Sequence, residues 1–232
     1  MNVEFVNITS TVLAYLRAKI ITGELAPGAR INENDLSKKL QISRGPIREA
    51  FRVLEHEHLV VNVPRKSTYV SKISLKELED IYQVRRAIEL SAIDLFEAKK
   101  VRQLPEVLST FDTVTLLGTP SPSDATQVLI YREKITNFHV KMVEATGNSW
   151  FVEYYRTLYF SLARYQYPQF KQPGTGDRSL KDHMTILGYI ESGDYGTAKE
   201  FLLKHIEYSF DFQKQLLECV TGGTTFEQGA TR

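Results

Sequence analysis

The first seventy residues combine helical and strand-like hydrophobic patterns. Apolar residues recur every three or four positions between residues 7 and 22, which predicts an amphipathic helix. Two shorter helices follow, with Asn32 and Ser43 at their expected N-caps. Two β-prone runs, 59–61 and 68–70, then flank a basic turn and predict a hairpin. Three helices followed by a hairpin predict a winged helix-turn-helix.

From Ser74 onward the hydrophobic period is helical throughout. Residues 74–77 have the form of a capping box at the start of a helix of about 25 residues. Further helices are expected at about residues 104–117, 122–146, 149–167, 179–191 and 195–218. The expected fold is therefore mainly α and has three parts: a winged helix-turn-helix domain at 1–72, an all-α helical-bundle domain at 73–220 and a tail at 221–232.

Composition and charge narrow the class of protein. A chain of 232 residues with 42% hydrophobic and 25% charged residues is typical of a globular protein of two domains. Its lone Cys219 excludes an internal disulfide, and the absence of a signal-peptide pattern favours a cytoplasmic location. Residues 1–72 carry 11 Lys and Arg against 7 Asp and Glu, whereas the remainder carries 18 against 21. An anionic partner therefore suits the first domain only.

The strongest candidate chemistry lies at the start of the predicted third helix. Arg44 and Arg48 are one turn apart there, and a helix N-terminus offers free N–H groups to phosphate. An arginine fork also matches guanine in the major groove. Gly45, without a side chain, would let the backbone approach phosphate closely. The predicted DNA-binding residues are Arg44, Gly45, Arg48, Arg52, Arg65, Lys66 and Ser67. The alternative is a solvated basic face.

This segment resembles the GntR family of bacterial regulators. The resemblance is carried by residues 23–28, 32–37, 42–51 and 54–60. It implies a domain that binds a palindromic operator as a dimer, with Arg44, Gly45 and Arg48 in contact with the operator. The family usually has glycine where His58 and Ser67 stand, so the wing of this chain departs from the family pattern.

The second part resembles the FadR-type, or FCD, helical domain of the same family. The matching runs are 84–89, 137–139, 147–148, 182–183, 193–194 and the histidine at 205. The resemblance implies a pocket that often holds a divalent metal on one aspartate and three histidines, here His139, His183 and His205. Isoleucine stands at the aspartate position, Ile135. Two alternatives stay open: a zinc or nickel ion on three histidines, with water or effector completing its shell, and a metal-free pocket.

The spacing of two histidines supports a shared site independently. His183 and His205 lie at similar distances on either side of the turn at 192–194. On antiparallel helices they would therefore end near the same level. His139 comes from an earlier helix.

Two arginines are candidate effector-binding residues. Arg85 matches the pocket arginine of the family, which implies pairing with an effector carboxylate. Its alternative is a surface ion pair with Glu89, four residues on. Arg164 lies among aromatic residues at 159–167, and its alternative is a place in the core or at a dimer interface.

The combined prediction is a ligand-responsive transcription regulator, with a repressor favoured. It would act as a homodimer on double-stranded DNA, sense a small anionic effector such as an organic acid, and have no enzymatic activity. The alternative is a metal-dependent hydrolase that uses the three histidines. That alternative lacks an acid or base in register with His139 and any nucleophile motif. A helical scaffold protein would leave the basic wing unexplained.

Overall fold

The computed structural model divides the chain into two compact units, with the division between Ile73 and Ser74. It describes residues 8–64, 66–109, 111 and 118–222. Residues 223–232 of the predicted tail, and residues 110 and 112–117 of the predicted helix at 104–117, lie outside these residues. The class is the predicted one: a winged helix-turn-helix followed by an all-α unit.

The first unit has three helices and a small sheet. Its elements are α1 (Ile8–Ile21), β1 (Arg30–Ile31), α2 (Glu33–Leu40), α3 (Arg44–His56), β2 (Val60–Val63) and β3 (Ser67–Val70). The sheet is antiparallel with β3 in the middle, so β2 and β3 form the predicted hairpin. The two-residue strand β1 was not predicted, because two residues show no periodicity.

The two predicted caps of this unit differ. Asn32 accepts hydrogen bonds from the backbone N–H groups of Asn34 and Asp35, as expected. Ser43 takes the predicted N-cap position of α3, but its side chain makes no capping hydrogen bond. Pro46 at the third helical position lacks one of the two N–H groups that a capping side chain uses. The Ser43 side chain therefore occupies none of the backbone N–H groups in the first turn of α3.

The helices of the first unit enclose an apolar core. α1 packs against α3, and the hairpin covers the C-terminal end of α3. The buried residues include Val12, Leu16, Ile20, Ile47, Phe51, Leu54, Leu59, Val60 and Val70. These are the apolar positions that repeat at helical and strand spacing, so the exposed face of α3 is left polar.

The second unit is a bundle of long helices. Its elements are α4 (Leu75–Lys99), a helical stretch at 105–109, α5 (Ala125–Glu144), α6 (Ser149–Phe170), α7 (Thr175–Ser192) and α8 (Tyr195–Gly222). α4 packs along α8, α5 along α6, and α7 along α8. α6 continues past Pro168 and ends at Phe170, three residues beyond its expected end at residue 167.

The start of α4 is capped in part as expected. Ser74 Oγ accepts from the N–H of Glu77 at 3.1 Å. The carboxylate of Glu77 does not return to the Ser74 backbone, and instead accepts from Arg164 and Tyr165 on α6. The Tyr165 hydroxyl accepts the Ser74 N–H at 3.1 Å. The first turn of α4 is thus tied to α6.

His58 is exposed, and its backbone is in the left-handed conformation with φ 57°. Only glycine adopts this conformation without a steric penalty from Cβ. His58→Gly should raise the free energy of unfolding by about 0.5–1 kcal/mol, the steric relief less the entropy of glycine. Urea denaturation of the full chain measures it. The control His56→Gly, at the last residue of α3, should lower stability by up to about 1 kcal/mol. Equal or lower stability of His58→Gly would contradict this reasoning.

Candidate functional site

A polar cleft of about 530 Å³ lies between the start of α2, α3 and the hairpin of the first unit. Its basic side chains come from Arg30, Arg44, Arg48 and Lys66. The other lining residues are Ile31, Asn32, Glu33, Asn34, Phe51, Asn62, Val63, Ser67 and Thr68. A concave surface with four cations suits a polyanion.

Glu33 holds Arg48 on this surface. Arg48 Nε donates to the two carboxylate oxygens of Glu33 at 3.0 and 2.9 Å. The Arg48 side chain is nevertheless 60% exposed. Because Glu33 contacts only Nε, both Nη groups remain for an acceptor such as guanine or phosphate. Glu33 was not predicted, since its partner is fifteen residues away.

The wing is organised by a second contact that was not predicted. Arg30 Nε, from β1, donates to Ser67 Oγ at 2.9 Å. Serine in place of the usual glycine therefore positions a cation at the base of the wing. The missed signal was the strand β1, which brings Arg30 beside β3.

The predicted DNA-binding residues are placed as follows. Arg44, Arg48, Lys66 and Ser67 line the cleft. Gly45 is exposed on the first turn of α3, and a Cβ built on it would meet nothing within 4 Å. Arg52 is on α3 outside the cleft lining and donates to Glu49 at 2.6 Å. Arg65 lies outside the described residues.

The second unit brings three histidines together. His139 of α5, His183 of α7 and His205 of α8 each offer a ring nitrogen, and these nitrogens lie within 4.8 Å of one another. The Nε2 atoms of His183 and His205 are 3.2 Å apart. The ring of Phe138 stacks on His183 at 4.2 Å and fixes its plane. All three histidines are buried.

Two carboxylates orient these rings from behind. Glu89 contacts His139 Nδ1 at 2.8 Å, and Asp182 contacts His205 Nδ1 at 3.1 Å. A carboxylate accepts a hydrogen bond from Nδ1–H, which leaves the Nε2 lone pair directed at the shared space. His183 Nδ1 is buried and has no hydrogen-bond partner within the described chain.

Burial favours the neutral form of all three histidines. Burial lowers the pKa of His139 to about 4, although the Glu89 carboxylate acts in the opposite direction. Burial, and then the neighbouring His139 and His205, hold the pKa of His183 well below its ordinary value. Burial also lowers the pKa of His205 against the opposing effect of Asp182. Neutral imidazole is the form that binds metals.

Arg85 and Glu89 form a buried ion pair beside the histidines. Arg85 Nε donates to Glu89 at 2.7 Å, and Arg85 Nη2 contacts His139 Nε2 at 2.9 Å. Burial opposes ionisation of Glu89, but Arg85 and then His139 hold its pKa far below the usual range. Arg85 is only 1% exposed, so the alternative of a surface ion pair with Glu89 was wrong about its location.

The three histidines form a donor set of the kind that holds a divalent ion. Three neutral Nε2 atoms that face one space suit zinc or nickel, whose bonds to imidazole are about 2.0–2.1 Å long. Ile135 is buried and adds no donor. Arg85 Nη2 uses the lone pair of His139 that an ion would need. The residues present fit an ion held by three histidines, provided that Arg85 gives up this contact.

Arg164 is placed apart from the histidine cluster. Arg164 Nη2 donates to both carboxylate oxygens of Glu77, each at 3.2 Å, at the first turn of α4. Glu77 precedes Arg85 by eight residues, or about 12 Å along a helix. Arg164 is buried, which agrees with the alternative that placed it in the core.

The sequence did not reveal three further members of the cluster. Asp182 stands next to His183, but only the packing of α7 against α8 directs it to His205. Tyr155 of α6 donates its hydroxyl to Glu89. Glu89 itself was considered only as a partner of Arg85, although it also accepts from His139 and Tyr155.

Comparison with known proteins defines the class. The family described as "Bacterial regulatory proteins, gntR family" matches residues 8–70, and the FCD domain matches residues 80–208. The chain therefore belongs to the GntR family of bacterial regulatory proteins and carries an FCD domain.

Several individual relatives span nearly the whole chain. The HTH-type transcriptional regulator YdhC of Bacillus subtilis (strain 168) is 26% identical over 210 residues, 88% of this chain and 89% of the relative. The Nta operon transcriptional regulator of Aminobacter aminovorans is 27% identical over 201 residues, 86% and 90% of the two chains. The HTH-type transcriptional repressor RspR of Escherichia coli (strain K12) is 22% identical over 213 residues, 90% of each.

Solved structures agree with the fold. A GntR transcriptional regulator from Rhodococcus sp. RHA1 has a TM-score of 0.69 at 22% identity, with 90% of this chain and 97% of that chain covered. McbR/YncC of E. coli has a TM-score of 0.67 at 18% identity, with 92% and 100% covered. Within the described part of the chain, none of the helices has the length and apolar character to cross a membrane.

Gly45→Ala should separate DNA binding from folding. The new methyl group stands in open space in the free protein, and alanine is favoured over glycine in a helix by up to about 1 kcal/mol. Stability should therefore rise slightly, whereas affinity for double-stranded DNA should fall at least about tenfold, because the methyl keeps the backbone from phosphate. Fluorescence anisotropy with labelled DNA measures the affinity.

The matched control is Gly188→Ala. Gly188 is exposed on α7, and a Cβ there also meets nothing within 4 Å. This variant should keep wild-type DNA affinity. Unchanged affinity in Gly45→Ala would show that the backbone at this turn does not approach DNA.

Proposed function

We propose that this chain is a ligand-responsive DNA-binding transcription regulator that binds a palindromic operator as a homodimer. The observation that carries the proposal is the polar cleft of the first unit, where Arg44, Arg48 and Lys66 converge between α3 and the hairpin. Transcription regulation through DNA is the activity of the GntR family to which the chain belongs. Repression is the favoured direction, as in the relative RspR.

The DNA-binding step would use Arg48 for base contact. Its Nη groups are free to pair with guanine, while the first turn of α3 and Lys66 contact the flanking backbone. A single winged helix contacts few base pairs. Two copies related by a two-fold axis would double the contact and match a palindromic operator.

The effector step would use the histidine cluster of the second unit. A small organic acid would present a carboxylate to Arg85, whose Nη1 makes only a 3.4 Å contact with the Tyr82 hydroxyl. A divalent ion on His139, His183 and His205 would supply a second positive centre for the same carboxylate. The neutral histidines, held by Glu89 and Asp182, keep that space free of competing charge.

Coupling between the two steps would pass along α4. Arg85 and Glu89 are both on this helix, and its first turn is held by Glu77, Arg164 and Tyr165. A ligand that moves Arg85 would alter the packing of α4 and the chain that leads to the wing. A coupling free energy of about 1–3 kcal/mol is sufficient for regulation.

The hydrolase alternative has no comparable support. Glu89 and Asp182, the carboxylates beside the histidines, both accept from an imidazole Nδ1. Neither is therefore poised to take a proton from water. We assign the cluster to ligand binding.

Arg48→Ala tests the proposed recognition. It should weaken binding to an operator selected from random double-stranded DNA by about 1–3 kcal/mol and relax the sequence preference. Arg156→Ala is the control, because Arg156 is also exposed and paired with a glutamate but lies in the second unit. Gel retardation over a salt series measures both. Wild-type affinity of Arg48→Ala would contradict the assigned contact.

Arg85→Lys tests the proposed effector site while it keeps a positive charge opposite Glu89. Calorimetry with a panel of carboxylates should show at least about a tenfold loss of affinity, because lysine lacks the fork. The control is Arg86→Lys on the same helix. Titrations before and after chelation report whether an ion takes part. Equal affinities in wild type and Arg85→Lys would remove Arg85 from the effector site.

A further inference from the structure

Arg132 of α5 is a buried guanidinium with only neutral partners. It is 2% exposed. Its Nη1 donates to Gln166 Oε1 at 2.9 Å and approaches Thr136 Oγ1 at 3.5 Å, and its Nη2 donates to the Tyr159 hydroxyl at 3.2 Å. Its Nε has no hydrogen-bond partner among the residues that the structure describes. A buried cation with an unused donor is costly unless an anion balances it.

The other buried arginines of the described chain do not share this feature. Arg85 pairs with Glu89, and Arg164 pairs with Glu77. No carboxylate of a described residue lies within 4.0 Å of the Arg132 guanidinium nitrogens; its other close partner is the ring of Tyr159, with the guanidinium carbon 5.0 Å from the ring centre. The missing counter-charge is therefore specific to this position.

Arg132 lies on the same face of α5 as His139. The two residues are separated by seven positions, which is two helical turns or about 10 Å along the axis. Ile135 lies between them, one turn from Arg132, and is buried. A carboxylate at position 135 would have stood within reach of Arg132, so isoleucine there leaves the positive charge unbalanced.

We propose that Arg132 is a second anion-binding group of the second unit, so that the effector carries two acidic groups. One carboxylate would bind at the Arg85 and histidine end. The other would bind Arg132, whose Nε and adjacent Nη2 form the edge that donates two parallel hydrogen bonds to a carboxylate. The half-buried Tyr159 hydroxyl borders this edge. This inference rests on the effector site of the proposed function.

The test uses α,ω-dicarboxylates from malonate to adipate, each paired with the monocarboxylate of equal chain length. The full-length protein is titrated with each by calorimetry. In wild type, at least one dicarboxylate should bind about tenfold or more tightly than its monocarboxylate. In Arg132→Gln, which keeps a donor for Gln166 but removes the charge, this preference should disappear. Arg132→Lys should retain part of it.

The anion-free proteins give a second readout, with Arg85→Gln as the matched control. Arg132→Gln removes an unbalanced buried charge, so its Tm should equal or exceed that of wild type. Arg85→Gln leaves Glu89 without its cation, so its Tm should fall by several degrees. Sedimentation of Arg132→Gln should show the wild-type assembly state.

Three results would overturn the inference. One is a dicarboxylate preference in Arg132→Gln that equals that of wild type, or the absence of any such preference in both proteins. Another is a Tm loss in Arg132→Gln as large as in Arg85→Gln, which would mean that the neutral hydrogen bonds are structural. The third is a change of assembly state in Arg132→Gln, which would mean that a second copy balances the charge.

DNA binding of the same preparations separates this inference from the proposed function. Retained DNA binding with no Arg132-dependent preference overturns only the second anion group. If the wild type does not bind DNA but keeps the Arg132-dependent preference for dicarboxylates, the proposed regulator function is wrong and the second anion group is supported.

Discussion

Glu89 is a buried carboxylate whose hydrogen bonds organise the centre of the second unit. It balances the charge of Arg85, fixes the Nδ1 side of His139, and accepts the hydroxyl of Tyr155. Removing one partner of such a buried pair costs about 3–5 kcal/mol, against a typical total stability of about 5–15 kcal/mol. The orientation of the histidine cluster and the packing of α4 against α5 and α6 therefore depend on this one ionised group.

The ion pair of the first unit has the opposite character. Arg48 is exposed and Glu33 is partly exposed, and a pair of this kind contributes only about 0–1 kcal/mol. In the proposed function, this pair would hold Arg48 in the cleft before binding and would exchange for a base or phosphate at little cost. The same chemistry thus serves a structural purpose where it is buried and a positioning purpose where it is exposed.

Periodicity was sufficient to predict the mainly helical fold and the hairpin, because long amphipathic helices and alternating strands leave a clear pattern. The convergence of His183 and His205 was also predictable, since the tight turn before α8 places them at one level. The strand β1, the contacts of Arg30 and Glu33, and the contacts of Glu89 with His139 and Tyr155 were not predictable. Each depends on which residue of a distant element packs opposite, and no local pattern records that.

The charge balance of the second unit explains how a small anion could regulate the protein. Near the histidines Glu89 balances Arg85, but the hydrogen-bond acceptors of Arg132 within the described part of the chain are all neutral. An anion that enters this region therefore gains electrostatic energy that the protein has not already satisfied internally. Binding at one hundred times the dissociation constant stabilises the bound form by about 2.7 kcal/mol. Allosteric coupling typically requires about 1–3 kcal/mol, so one such ligand is sufficient if its contacts differ between two arrangements of α4 and α5.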